Sequence, residues 1–141
     1  MNYSILFNQY CESLARKLTS LRKEVLYVLW CEKKPLKAYD ILNNLLKIKP
    51  NSTPPTVYRA LAYFEAKGIV HKIESIQCYT LCREPEKHLP SELLMVCNDC
   101  HQVVEVYDEM MHELVARLAV DHCFKLNQDT IELNGICQMC L

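Results

Sequence analysis

Along the first half of the chain, apolar residues recur at helical spacing in four successive runs. Leu6, Phe7, Tyr10, Leu14 and Leu18 predict a helix from Tyr3 to about Leu18. A Thr19-Ser20 break precedes a second run through Leu21, Val25, Leu26, Val28 and Leu29. Ile41, Leu42, Leu45 and Leu46 predict a third helix from Ala38 to about Ile48. The fourth starts at Pro54-Pro55, because first-turn amides have no helical partner to lose, and ends near Lys67-Gly68. Val57, Leu61 and Phe64 form its inward stripe; Thr56, Arg59 and Tyr63, with Tyr58 beside them, form its outward face.

The period then shortens. Ile69–Ile73 and Cys78–Cys82 predict two strands joined by a turn at Glu74–Gln77. Helices followed by a β-hairpin make a winged helix-turn-helix over residues 1–82. The polar stretch 83–91, with two prolines, reads as a linker. Residues 92–141 predict a smaller α/β unit: strands at Leu93–Cys97 and Val103–Tyr107, and a helix from Glu109 to about His122 with Met111, Leu114, Val115 and Leu118 inward. A last strand follows at Thr130–Leu133. The fold class is therefore α+β.

Charge divides the chain in the same place. Residues 1–75 carry 12 Lys/Arg against 6 Asp/Glu, a balance of +6, and residues 76–141 carry 4 against 11, a balance of −7. A basic first domain faces a polyanion. No apolar run is long enough to span a membrane, and the beginning Met1-Asn2-Tyr3-Ser4 has no secretory pattern. An odd count of nine cysteines then favours a cytoplasmic, metal-ligating chain over a disulfide framework.

The strongest chemical signal is a pair of Cys-x-x-Cys turns, Cys97-Asn98-Asp99-Cys100 and Cys137-Gln138-Met139-Cys140. Each puts two thiolates on one turn, and together they supply the four soft ligands of a closed tetrahedral zinc site. Thirty-six residues separate Cys100 from Cys137, so a small domain must fold between them. A closed site holds structure. It leaves no open position for hydrolytic chemistry, and no His-Glu-x-x-His or His-x-Glu motif occurs, so the chain does not read as an enzyme.

Leu18-Thr19 with Arg22, Ala38-Tyr39-Asp40, Pro55-Thr56-Val57-Tyr58-Arg59-Ala60-Leu61 and both Cys-x-x-Cys pairs resemble the ferric-uptake-regulator superfamily over nearly the whole chain. Within it, Pro54–Leu61, Val70–Ser75 and Leu81-Cys82 look most like the zinc-uptake regulators. The resemblance implies a homodimeric repressor of zinc-uptake genes, with a winged-helix DNA-binding half and an α/β dimerisation half. Its partner is double-stranded palindromic operator DNA; neither a membrane nor a small-molecule substrate is implied.

The resemblance makes the fourth helix the recognition helix and adds Tyr39 as a contact. Arg59 can grip a guanine in bidentate fashion, Tyr58 can reach a backbone or thymine methyl, and Thr56 sits near the helix N-terminus. Arg22 and the lysines of the first half serve phosphates. A second, regulatory zinc, making two Zn(2+) per monomer, maps to His71, Cys82, His88 and Glu105. His88 needs a small shift within the linker to match, and Cys78 shares a strand face with Cys82 and could replace it. A thiolate in this set favours zinc over iron or manganese. The competing readings are a same-fold sensor of Fe(II), Mn(II) or peroxide, and a zinc-knuckle interaction module without DNA binding.

Three positions depart from the family pattern. His101 stands where Gly is usual after the first pair, Cys123 replaces a Gly before Phe124, and Gln128 replaces a metal-binding His that would partner His112. An additional metal site is therefore expected to be missing or weak. Cys11, Cys31 and Cys123 are expected to be small buried residues.

Overall fold

The computed structural model describes residues 3–14, 16–32, 34–82, 92–126 and 130–141. The chain divides into two compact units, Met1–Lys87 and His88–Leu141. The linker reading for 83–91, with His88 in it, and Gln128 lie outside the described residues. No helix among the described residues is long and apolar enough to cross a membrane.

The first unit contains helices α1 (Ile5–Ser13), α2 (Ser20–Cys31), α3 (Ala38–Leu46) and α4 (Pro54–Ala66), then the hairpin β1 (Val70–Ile73) and β2 (Cys78–Leu81). α1 ends earlier than its apolar spacing predicts. The Ser13 hydroxyl donates to the Tyr10 carbonyl at 2.6 Å, a local bond that competes with helix continuation. The Thr19-Ser20 break is a cap: the Arg22 amide donates to Thr19 Oγ1 at 3.3 Å, satisfying one orphan donor of α2. At the far end of α4, Gly68 takes φ 71, and the Ile69 amide returns to the Phe64 carbonyl at 2.9 Å, turning the chain into β1.

Phe7, Val25, Leu26, Ile41, Leu45, Val57, Leu61 and Phe64 are each at most 1% exposed and form one core. Each such burial is worth about 1.5–3 kcal/mol against chain entropy. All three inward residues named for α4 are in this set. Lys49 bonds the buried Glu24 carboxylate at 3.2 Å, pinning the α3–α4 turn to α2. A single antiparallel bridge between Leu36 and Tyr79 ties the hairpin to the segment before α3.

The second unit contains β3 (Glu92–Cys97), β4 (Val103–Val106), α5 (Glu109–Asp121) and β5 (Thr130–Gly135). Its sheet has the order β4-β3-β5, with β4 antiparallel and β5 parallel to the central β3. Leu94 and Val96 are buried on that central strand. The expectation for α5 fails: no residue of the helix is buried, and Leu114 and Leu118 remain 40% and 46% exposed. Three short strands cannot cover its whole apolar stripe.

The three cysteines expected to be small buried residues also differ from expectation. Cys11 is half-buried, while Cys31 and Cys123 are exposed. The two departures from glycine acquire a geometry here: His101 has φ 59 and Cys123 φ 52, both in the left-handed region where glycine carries no Cβ penalty. Cys123 follows the α5 C-cap, and the His101 amide closes the first Cys-x-x-Cys turn onto the Cys97 carbonyl at 3.0 Å.

Candidate metal centres and nucleic-acid interface

Parallel pairing of β3 with β5 puts Cys97 opposite Gly135, two residues before Cys137. Both Cys-x-x-Cys turns therefore leave the same end of the sheet. Their four sulfurs, from Cys97, Cys100, Cys137 and Cys140, lie within 4.8 Å of one another. The Cys100 and Cys137 sulfurs are 3.7 Å apart, and the Cys137 amide donates to the Cys97 sulfur at 3.3 Å.

The electrostatics of this cluster fit a thiophilic cation. The Cys100 amide, then the Cys137 amide, hold the Cys97 thiol down at about 6, so this sulfur is a ready anion at neutral pH. Cys140 is pushed up to about 12 by the adjacent sulfurs of Cys137 and Cys100. Cys100 has the Gln102 amide to favour its thiolate, but burial and the neighbouring sulfurs prevail and raise it. Cys97 forms a thiolate readily, while Cys100 and Cys140 resist joining it. A divalent ion bound by all four sulfurs removes that conflict, and the donor set is that of a closed zinc site.

In the first unit, His71 on β1 and Cys82 just beyond β2 are both buried, at 5% and 2% exposure. Their ligand atoms lie within 4.8 Å of each other. The register His71↔Thr80 puts both Cys78 and Cys82 on the histidine's side of the hairpin. Cys78 lies with its sulfur 3.3 Å from the Ile76 carbonyl, inside its own turn. The Cys82 backbone is held by its amide bond to the Ile69 carbonyl at 2.8 Å and by the Tyr10 hydroxyl, 3.5 Å from the Cys82 carbonyl. Glu105 stands on β4 of the second unit, cross-strand from Leu94.

The outward face expected for α4 holds only in part, because Tyr63 is half-buried and packs against the core. Arg59 is exposed, and no carboxylate among the described residues pairs with it. Tyr58 on α4 and Tyr39 at the start of α3 are 55% and 70% exposed, far beyond what packed tyrosines show. Thr56 is half-buried, its hydroxyl 3.0 Å from that of Thr53 across the first turn of α4. Arg22 is not a free surface cation: its guanidinium carbon lies 3.5 Å from the centre of the Tyr63 ring.

Residues 13–134 match the ferric uptake regulator family. The chain belongs to that family. It is 34% identical over 131 residues to the zinc uptake regulation protein of Escherichia coli (strain K12), covering 93% of this chain and 77% of that protein. Among solved structures, it superposes on a zinc uptake regulator complexed with zinc and DNA with a TM-score of 0.87, at 33% identity, covering 96% of this chain and 92% of that one. Holo XcZur superposes with a TM-score of 0.85 at 32% identity, covering 97% and 98% of the two chains.

The Arg22–Tyr63 stack is what reading the sequence missed. Residues 22 and 63 have no local pattern to connect them. Their only sequence signal was that each fell on a helix face already assigned to DNA.

Proposed function

We propose that this family member is a zinc-responsive, DNA-binding repressor of zinc-uptake genes. It acts as a homodimer in the cytoplasm on palindromic operator DNA and carries two zinc ions per protomer. The observation that carries the zinc reading is the buried pair of His71 and Cys82, a nitrogen and a sulfur within 4.8 Å of each other. A thiolate beside an imidazole is a soft donor set that favours zinc over ferrous or manganous ions. The similarity to regulators described with zinc and with DNA points the same way.

Cys97, Cys100, Cys137 and Cys140 would hold the structural ion. His71 and Cys82, joined by His88 and Glu105, would hold the regulatory one. Zinc bound at the regulatory site supplies a divalent cross-link between residues of the two halves. His71 and Cys82, fixed on the hairpin, would then restrict the orientation of α4 to one in which both protomers meet successive major grooves. By linkage, operator DNA must tighten zinc binding by the same factor. Arg59, Tyr58, Thr56 and Tyr39 would read the groove, and Arg22 would meet phosphate. Dimerisation through the second unit is supported by the uncovered apolar residues of α5, of which Met110, Met111 and Leu114 line a groove of about 600 Å³ with Leu93 and Val106.

The test is selection of duplexes from a random DNA pool at buffered low and high free zinc, with ferrous and manganous controls. Zinc-only selection that Cys82→Ser, His71→Ala or Glu105→Ala abolishes supports the assignment. Selection driven by iron or manganese would overturn the metal, and variants that still need zinc with unchanged affinity would overturn the site.

A further inference from the structure

Arg22 and Tyr63 come from different helices, the first turn of α2 and the last turns of α4. The guanidinium lies over the ring at 3.5 Å from its centroid, as close as such a stack allows. Tyr63 is itself fixed: its ring meets Phe64 edge-on at 5.5 Å, and Phe64 is fully buried. Stacking occupies the face of a guanidinium and leaves its N–H groups, all at the edge, free to donate. No acceptor or carboxylate among the described residues takes them. Tyr63 also follows Arg59 by four residues, so the stack sits one helical turn along α4 from the exposed Arg59.

We infer that Tyr63 is a positioning residue that holds Arg22 edge-outward as a preorganised clamp for a DNA phosphate beside the recognition helix. An exposed arginine must lose side-chain freedom when it meets phosphate, and this one has lost most of it already. The clamp carries no base information. It fixes the register in which Arg59 reads the groove. The inference rests on the DNA-binding reading above.

The test is a double-mutant cycle on a duplex selected by the zinc-loaded protein and on a scrambled duplex, with affinity followed against salt. Arg22→Ala should lower the salt slope by about 0.9 for each phosphate that the arginine neutralises. Tyr63→Leu should weaken both duplexes by a similar factor, roughly three- to tenfold, and add nothing in the Arg22→Ala background. Tyr63→Phe, which keeps the ring, should retain the coupling. A Tyr63→Leu loss that persists without Arg22, or an unchanged slope in Arg22→Ala, overturns the clamp. Should Tyr63→Leu fail to fold by thermal melting, Arg22→Lys takes its place. Lower affinity with the slope retained then supports the clamp, and unchanged affinity overturns it. If the unmodified protein selects no duplex in zinc, the regulator reading falls and the clamp with it. If it selects one but the two effects add independently, only the clamp falls.

Discussion

The amide of Cys137 donates to the sulfur of Cys97 at 3.3 Å, across 40 positions of sequence. The two Cys-x-x-Cys turns are thus interlocked by the backbone. The Asn98 amide repeats the link by bonding the Gly135 carbonyl at 2.8 Å. Parallel pairing of β3 and β5 is the cause, because it carries both turns off one end of the sheet.

Removing one sulfur should therefore open the second unit and spare the first. Cys140→Ser is expected to lose one zinc per protomer and the slow amide exchange of β3 and β5. The only tryptophan, Trp30, belongs to the helical unit and should keep its native emission, since that unit has its own core. Zinc content, exchange and fluorescence read the three effects. Loss of native Trp30 emission would show that the units unfold together.

Proton release should accompany metal loading at this site. Between pH 7 and 9 Cys97 is already a thiolate, while Cys100 and Cys140 are raised and must each give up a proton. Affinity should thus fall as pH falls, and fall more steeply below about 6, where Cys97 also protonates. Titrating metal-free, reduced protein with zinc in weak buffer counts the protons directly. Fewer than two released at pH 8 would contradict this charge distribution.

Arg59→Ala should weaken binding to a selected duplex by about 1–3 kcal/mol per half-site and relax base preference at one position. Zinc content should not change, because Arg59 is an exposed cation and supplies no metal ligand. Competition binding with single-base variants measures both. A uniform loss across all sequences would make Arg59 a phosphate contact instead.

His101→Gly and Cys123→Gly should each stabilise the zinc-loaded protein. Their φ values of 59 and 52 put a Cβ where the left-handed backbone disfavours one by roughly 1–2 kcal/mol. Greater freedom of glycine in the unfolded chain offsets part of this, leaving a net gain of about 0.5–1 kcal/mol. Thermal unfolding should shift up by a few degrees, and a downward shift in either variant would mean that the side chain makes a compensating contact.

The sequence by itself determined the helices of the first unit, the hairpin, the α4 inward stripe and the four paired cysteines. Each is specified by local spacing: the helical period for Val57, Leu61 and Phe64, the strand period for the hairpin, two intervening residues for each thiolate pair. Only the tertiary structure decided which distant pieces meet. The parallel β3–β5 pairing joins the two cysteine turns, and the β1–β2 register sets His71 beside Cys82. Helix packing stacks Arg22 on Tyr63. The α5 stripe shows the limit from the other side. Its period correctly announced an apolar face, but burial needs a partner surface, and the short sheet of its own unit does not cover it. Periodicity reports which side of an element is apolar; what that side touches is a property of the assembled fold.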